Sequence, residues 1–159
     1  MDFNFTSFFE DLTAKNILAQ QNNFVFTRVS GLDGFEEALH VMQSATAFVA
    51  VSDISQGYIE VNNTPHTRRV KTVYLAMRHA VDDMAARQWC MYTMRELFRQ
   101  FMSRLLPERC RLENANIYLD PRITFNEIDQ YFFSGCACAF FQIAIDTYTD
   151  LRYNNAEWE

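Results

Sequence analysis

The stretch that decides the fold is MAARQWCMYTMRELFRQFMSRLL, residues 84–106. Its apolar side chains recur every three or four positions, which places them on one face of an α-helix. They are Cys90, Met94, Leu97, Phe98, Phe101, Met102 and Leu105. Asp82 or Asp83 supplies the N-cap, and Pro107 predicts the end. The sequence therefore predicts an amphipathic helix about 35 Å long that lies across one face of a sheet.

Strands are predicted on both sides of this helix. Their ranges are residues 24–29, 45–52, 58–61 and 70–79 before it, and 116–119, 123–125 and 131–148 after it. Within residues 70–79, Val73, Leu75 and Met77 alternate with more polar side chains, which predicts a strand with one face in the core. Short connections between strands favour an antiparallel sheet.

Two further helices are predicted near the N-terminus. Ser7 and Glu10 have the spacing of a capping box, so a first helix is expected over residues 7–20. Its predicted buried residues are Phe8, Phe9, Leu12 and Ile17. Residues 31–34 (GLDG) predict a turn, after which Asp33 caps a helix over residues 35–42. The residues of this second helix predicted to point inward are Phe35, Leu39 and Met42.

The last predicted strand, in which Gly135 suggests a bulge, is apolar on both faces. One face carries Ala137, Ala139, Phe141, Ile143 and Ile145, and the other Cys136, Cys138, Phe140 and Gln142. The long helix can cover only one face. Either the N-terminal helices cover the other, or Cys138, Phe140, Phe132 and Phe133 contact a neighbouring subunit.

The composition indicates one well-packed domain spanning residues 1–159. The chain is 49% apolar and 15% aromatic, and at this length it needs no metal or disulfide to fold. Combined with the predicted elements, this indicates an α+β fold. Its sheet is expected to be mainly antiparallel, with the long amphipathic helix packed on one face and N-terminal helices beside it.

The net charge and the lack of a targeting signal limit the classes of partner that we expect. The net charge of −6 opposes binding along a phosphate backbone, so no specific nucleic-acid binding is expected. Nearly all basic residues are arginines, which reflects either protein interfaces or a lineage bias. The N-terminus lacks a signal-peptide pattern, and the apolar run at residues 137–144 is too short to span a bilayer. A cytoplasmic protein with reduced thiols and no membrane partner is expected.

Few residues have the spacing that a catalytic site or a metal site requires. Cys136 and Cys138 form a single C-x-C pair in an apolar strand, whereas zinc sites usually combine two tight pairs in loops. Small buried side chains are the better interpretation, with a metal or reactive-thiol site as the alternative. His79 stands near two aspartates and could act as a base, although a hydrogen-bonded histidine at a strand end is commoner. We predict no metal, no cofactor and no enzymatic activity.

Arg68 and Arg69 follow a polar loop in the sequence TRR, residues 67–69. They could contact an anion or an acidic partner, or lie at the solvated tip of a hairpin. They therefore join Phe132, Phe133, Cys138 and Phe140 as candidate interface residues.

The order of elements resembles that of the tail-terminator proteins of long-tailed bacteriophages, also called tail-completion or minor tail proteins. The stretches that carry the resemblance are residues 47–52, the hairpin of 58–61 and 70–77, the helix of 83–106, and residues 132–145. The final strand reads CAFFQIAID over residues 138–146, an alternating apolar ending common in the family. The resemblance covers most of the chain but lies in its layout, without a diagnostic motif. The helix at 35–42 and the length of the final strand depart from the usual pattern.

The resemblance implies a structural function. It implies a homo-oligomeric ring, expected to be a hexamer, that caps the tail tube and joins it to the head connector, with no catalytic residues. The protein would occur in the cytoplasm during assembly and then in the virion tail. One alternative is another head–tail joining protein, or an accessory binding protein of a prophage or mobile element. The other is a small enzyme that uses His79 or the Cys136/Cys138 pair.

Overall fold

The computed structural model describes residues 3–62, 64–128 and 135–158. These residues form the predicted α+β fold. In chain order the elements are α1 (Phe5–Lys15), α2 (Ile17–Gln21), β1 (Phe24–Val29), α3 (Gly31–Val41), β2 (Ala47–Ser52), β3 (Gln56–Glu60), β4 (His66–Arg78), α4 (Met84–Asn114), β5 (Ile117–Leu119), β6 (Thr124–Ile128) and β7 (Cys136–Tyr148), followed by a short 3-10 helix at Asn155–Glu157.

The centre of the sheet is a pair of long antiparallel strands, β4 and β7. They pair along their full length, from His66 opposite Tyr148 to Arg78 opposite Cys136. Strands β2 and β3 share the other edge of β4, while β5 and β6 share the other edge of β7. Strand β1 pairs with β2 in parallel, because α3 returns the chain to the same end of the sheet. The remaining described pairs are antiparallel, which confirms the predicted mainly antiparallel sheet.

The larger core lies between one sheet face and two helices, α4 and α1. Leu97 and Phe101 of α4 and Phe9 of α1 pack there against Phe141 of β7. The ring centroid of Phe9 lies 5.9 Å from that of Phe101 and 5.7 Å from that of Phe141. The predicted inward face of the last strand is therefore confirmed for Ala137, Phe141, Ile143 and Ile145, which all join this core.

A second, smaller core lies on the opposite sheet face under α3. Phe35 and Leu39 of α3 pack there with Tyr74 of β4 and Cys138 of β7. The rings of Phe35 and Tyr74 are stacked at 5.0 Å. The expectation that β4 buries only one face is thus wrong, because the parallel β1–α3–β2 unit places a helix over Tyr74 and Ala76.

The first helix differs from its predicted form at both ends. It begins at Phe5, because Asn4 Oδ1 accepts the amide N–H of Ser7 at 3.1 Å and acts as the N-cap. Asn16 is in an extended conformation and caps α2 by accepting the amide N–H of Ala19 at 2.8 Å. This break turns Ile17 outward, so it is 69% exposed and not buried as predicted.

The long helix does not end at Pro107. Helix α4 continues to Asn114, with the proline inside it. A proline removes one backbone hydrogen bond and costs about 3 kcal/mol in a helix interior. The added turns bury Leu112 in the main core and carry an ion pair between Arg109 Nε and Glu113 Oε1 at 3.0 Å. Burial of Leu112 in the core therefore outweighs the tendency of Pro107 to end the helix.

Several other predicted boundaries move. Residues 31–34 begin α3 and are not a separate turn, and β4 begins at His66, four residues before its predicted start. Strand β6 extends to Ile128 because it pairs with β7. Gly135 is no bulge in a described strand: it precedes β7 with a φ of 78°, and its carbonyl accepts the amide N–H of His79 at 3.0 Å.

Candidate assembly surface

The sheet face that carries α3 is covered over only half of its length. Helix α3 covers this face as far as Tyr74 and Phe140. From there to the end of the sheet where β3 turns into β4, most side chains on the same face are half-buried or exposed. Successive strand residues alternate between faces, so this half presents the residues in phase with Tyr74. We call it the open face; its residues are Tyr58, His66, Arg68, Tyr118, Asp146 and Tyr148.

Four strands each place one side chain in a row across the open face. Arg68 of β4 lies opposite Tyr58 of β3 and Asp146 of β7, and Asp146 lies opposite Tyr118 of β5. Directly opposed residues have Cβ atoms about 5 Å apart. The row therefore sets a cation and a carboxylate between two tyrosines. Tyr58 is 54% exposed and Tyr118 47% exposed, so both rings are accessible.

Arg68 forms ion pairs with two aspartates of its own chain. Its Nη1 donates to Asp146 Oδ2 at 2.9 Å, and its Nη2 donates to Asp120, just after β5. The hydrogen bond to Asp120 raises the pKa of Arg68. The amide of Arg122 and the guanidinium of Arg68 together hold the pKa of Asp120 below its ordinary value. Because both partners belong to the same chain, Arg68 is neither a solvated hairpin tip nor an arginine with unpaired charge.

A second row follows one step nearer the end of the sheet. His66 lies between Glu60 and Tyr148, the residues opposite it on β3 and β7. Its Nε2 is 3.4 Å from Glu60 Oε2, and its Nδ1 donates to the carbonyl oxygen of Thr64 at 3.1 Å. A groove of about 820 Å³ runs beside this row and is lined by His66, Tyr118, Asp146 and Tyr148 among others.

The structure separates the predicted interface residues. Arg68 lies on the open face, whereas Arg69 is exposed on the opposite face of β4. Cys138 is only 1% exposed, in the second core, so it cannot contact a neighbour while α3 stays packed. Phe140 is half-buried at the edge of that core, with its ring 6.1 Å from that of Tyr74. Phe132 and Phe133 lie outside the described residues.

The structure shows the surroundings of the residues considered for catalysis or metal binding, Cys136, Cys138 and His79. Burial raises the pKa values of the Cys136 and Cys138 thiols, which disfavours the thiolate that a nucleophile or metal ligand requires. His79 lies at the end of β4 with its Nδ1 2.8 Å from the carbonyl oxygen of Ala80. In residues 3–62, 64–128 and 135–158, no three His, Cys, Asp or Glu side chains are grouped in a way that could hold a metal ion.

Sequence reasoning did not find the residues that surround Arg68. Tyr58, Tyr118, Asp146 and Tyr148 lie on three strands far apart in the chain, and only the register brings them together. A weak signal was present, since Asp146 interrupts the apolar alternation at the end of the last strand. An acid in phase with a buried face suggests that the face is no longer covered there.

Comparison with known proteins adds no family assignment. No protein-family model matches the chain, and no curated protein sequence is significantly similar to it. Among the helices in the described part of the chain, none is both long and apolar enough to cross a membrane. The geometry of the open face is therefore the main basis for a functional interpretation.

Proposed function

We propose that this chain is a structural subunit that acts by assembly, as a phage tail terminator does. In this proposal, copies form a closed ring that caps a tail tube and joins it to a head connector. The observation that carries the proposal is the open face, where half of a sheet face carries three accessible tyrosines around a paired arginine. Tyrosine and arginine are enriched where protein interfaces concentrate their binding energy.

The open face has the physical character of an interface. Tyr58, Tyr118 and Tyr148 offer large rigid rings that lose little conformational entropy on binding. Arg68 is already paired with Asp146 and Asp120, so its charge need not be neutralised by the partner. A contact that buries this face therefore gains apolar area without leaving a buried charge uncompensated.

The adjoining edge of the sheet is also accessible. Strand β3 pairs with β4 on one side and forms the edge of the described sheet there. Ile59 on this strand and Val61 just after it are exposed. Exposed edges and apolar residues of this kind are usually shielded in monomeric proteins. The hairpin of β3 and β4 itself carries Tyr58, His66 and Arg68 of the open face.

The test is the assembly state of the full chain. We expect six-membered rings by negative-stain electron microscopy and mass photometry, either for the chain alone or after co-expression with the tail-tube protein of the same genome. A double variant, Tyr58→Ala with Tyr148→Ala, should remain folded but lose the rings. Tyr92→Ala removes an equally exposed tyrosine from α4 and serves as the matched control.

The outcomes separate the candidate functions. A chain that stays monomeric or dimeric in both preparations would contradict the ring and favour an accessory binding protein. Rings that persist in the Tyr58/Tyr148 variant would show that the open face is not the interface.

A further inference from the structure

The last described stretch of the chain is an exposed arm that begins beside Val61 and Pro65 and ends in exposed aromatic side chains. Residues 150–158, here called the arm, follow the end of β7. Every hydrogen bond described for them joins two residues of the arm, such as Arg152 Nη2 to Asp150 Oδ2 at 2.6 Å. Trp158 is 67% exposed, and its ring stacks on that of Tyr153, with the centroids 6.4 Å apart. Large aromatic side chains held out from a domain usually have a partner.

A groove of suitable chemistry lies between α4 and the segment joining β5 to β6. It has a volume of about 440 Å³ and is here called the α4 groove. Its apolar lining includes Phe98, Met102, Leu106 and Ile123. A pocket of this size and apolar lining matches the general character of sites that bind ring-sized groups.

The charges of the arm and the α4 groove are complementary. Arg99 and Arg109 lie along the groove, while Glu157 and Glu159 flank Trp158 in the sequence. Both arginines are paired within α4, to Glu96 and Glu113. Exposed ion pairs within a helix contribute little to stability, so these arginines can exchange partners easily.

The direction in which the chain leaves β7 favours a groove on another molecule. The chain leaves the sheet beside the turn between β3 and β4, where the amide of Thr149 donates to the carbonyl oxygen of Pro65 at 3.0 Å. The α4 groove lies further back along β7. The backbone amide of Asp120, at the rim of the groove, donates to the carbonyl oxygen of Ala144 at 2.9 Å, four residues before β7 ends. At the end of β7 the chain is therefore running away from the groove of its own domain.

We propose that the arm of one copy docks in the α4 groove of a second copy. Trp158 seats among Phe98, Met102 and Leu106, and Glu157 lies beside Arg99 and Arg109. The arm and the groove are different surfaces, so the contact is head-to-tail and repeats around a closed ring. This inference rests on the proposed ring. A docked Trp158 would bury only about 250 Å², so the open face must supply the rest of a stable interface.

Fluorescence tests the docking directly, because the chain has two tryptophans, Trp89 and Trp158. In the full-length variant Trp89→Phe, emission reports on Trp158 alone. We expect it to shift to shorter wavelength as protein concentration rises through the assembly range, measured beside sedimentation velocity. Short-wavelength emission already present in the monomer would show docking within one chain and would overturn the proposal.

Matched variants test the contribution to assembly. Trp158→Ala should raise the concentration at half-assembly about tenfold or more, as loss of an interface anchor does. Trp89→Ala, which removes a tryptophan that is similarly exposed on α4, should change it less than twofold. Leu106→Glu should block the groove without unfolding the domain, because Leu106 is 64% exposed.

Mixing the two defective chains distinguishes exchange between copies. The Trp158→Ala chain keeps an intact groove and the Leu106→Glu chain keeps an intact arm. At a concentration at which neither variant assembles alone, their mixture should therefore form one-to-one dimers. Absence of this dimer would overturn the exchange. Rings that form equally well in Trp158→Ala would overturn the arm contact and leave the proposed function standing. Absence of any ring in the unmodified chain, alone or with tail tubes, would remove both.

Discussion

The backbone of Gly57 on β3 passes so close to Arg68 on β4 that no other residue fits. A Cβ placed on Gly57 would lie 1.8 Å from the carbonyl oxygen of Arg68. Because the clash is with backbone, a rotamer change cannot relieve it, and the two strands would have to separate. The position of the β3 hairpin relative to the open face therefore depends on this glycine.

Replacing Gly57 by Ala should destabilise the domain by about 1–3 kcal/mol, the usual cost of forcing an extra methyl group into a packed site. Urea unfolding measures the change. Gly34→Ala is the control: its nearest heavy atom would be Ser30 Cβ at 3.5 Å, and alanine is favoured over glycine inside α3 by up to about 1 kcal/mol. Equal effects of the two substitutions would contradict the close approach of β3 to β4.

Phe101 is expected to be a key residue of the main core. It is 1% exposed and packs against Phe9, so Phe101→Ala should lower the free energy of unfolding by about 3–5 kcal/mol through lost burial and the cavity left behind. Leu106→Ala, on the exposed side of the same helix, should change it by less than about 0.5 kcal/mol. Both values can be obtained by chemical denaturation followed by circular dichroism.

Arg78 should be irreplaceable by lysine. Its Nε donates to the carbonyl oxygen of Ala45 at 2.9 Å, and its Nη2 donates to those of Leu39 and Met42, which joins the end of α3 to the sheet. Lysine cannot reproduce this fork, so Arg78→Lys should cost about 1–3 kcal/mol. Arg28→Lys, at an exposed position on β1, is the control. Hydrogen exchange would also show whether α3 becomes less protected.

The Asp120 carboxylate should make stability depend on acid pH. Its pKa is lowered in the folded state by the amide of Arg122 and by Arg68. A lowered folded pKa stabilises the protein above the ordinary carboxyl pKa of about 4, and this contribution is lost as pH falls through the folded value. Asp120→Asn should therefore be less stable by about 1 kcal/mol at pH 7, with the difference shrinking as the pH falls below the ordinary carboxyl pKa.

Thiol reactivity should divide the four cysteines into two groups. Cys110 is exposed, while Cys90, Cys136 and Cys138 are buried, and burial raises the pKa values of all three buried thiols. A thiol reagent at pH 8 should modify one cysteine promptly in the native protein and all four after unfolding. Prompt modification of Cys138, located by mass spectrometry, would indicate that α3 does not remain packed.

The local pattern of the chain determined its elements. The 3.6-residue spacing of Leu97, Phe101 and Leu105 is a property of the helix itself, so it identified α4 and its buried face. Alternation in the same way identified β4 and β7 and the residues of β7 that face α4. These predictions succeed because helix and strand periodicities do not depend on what packs against them.

Tertiary packing explains two places where the structure departs from what this local pattern predicts. Helix α4 continues past Pro107 because Leu112 finds a place in the main core. Cys138 is covered because α3 crosses between two parallel strands, a connection that residues 31–42 do not specify by themselves. In both cases the burial of distant side chains determined the outcome.

The local sequence pattern therefore identified α4, the two central strands and most of the side chains between them. Only the tertiary structure brought Tyr58, Arg68, Tyr118 and Asp146 into one row. The physical reason is that strand register is set by pairing between segments up to about a hundred residues apart. A candidate interface assembled from four strands thus has no counterpart in any single stretch of the chain.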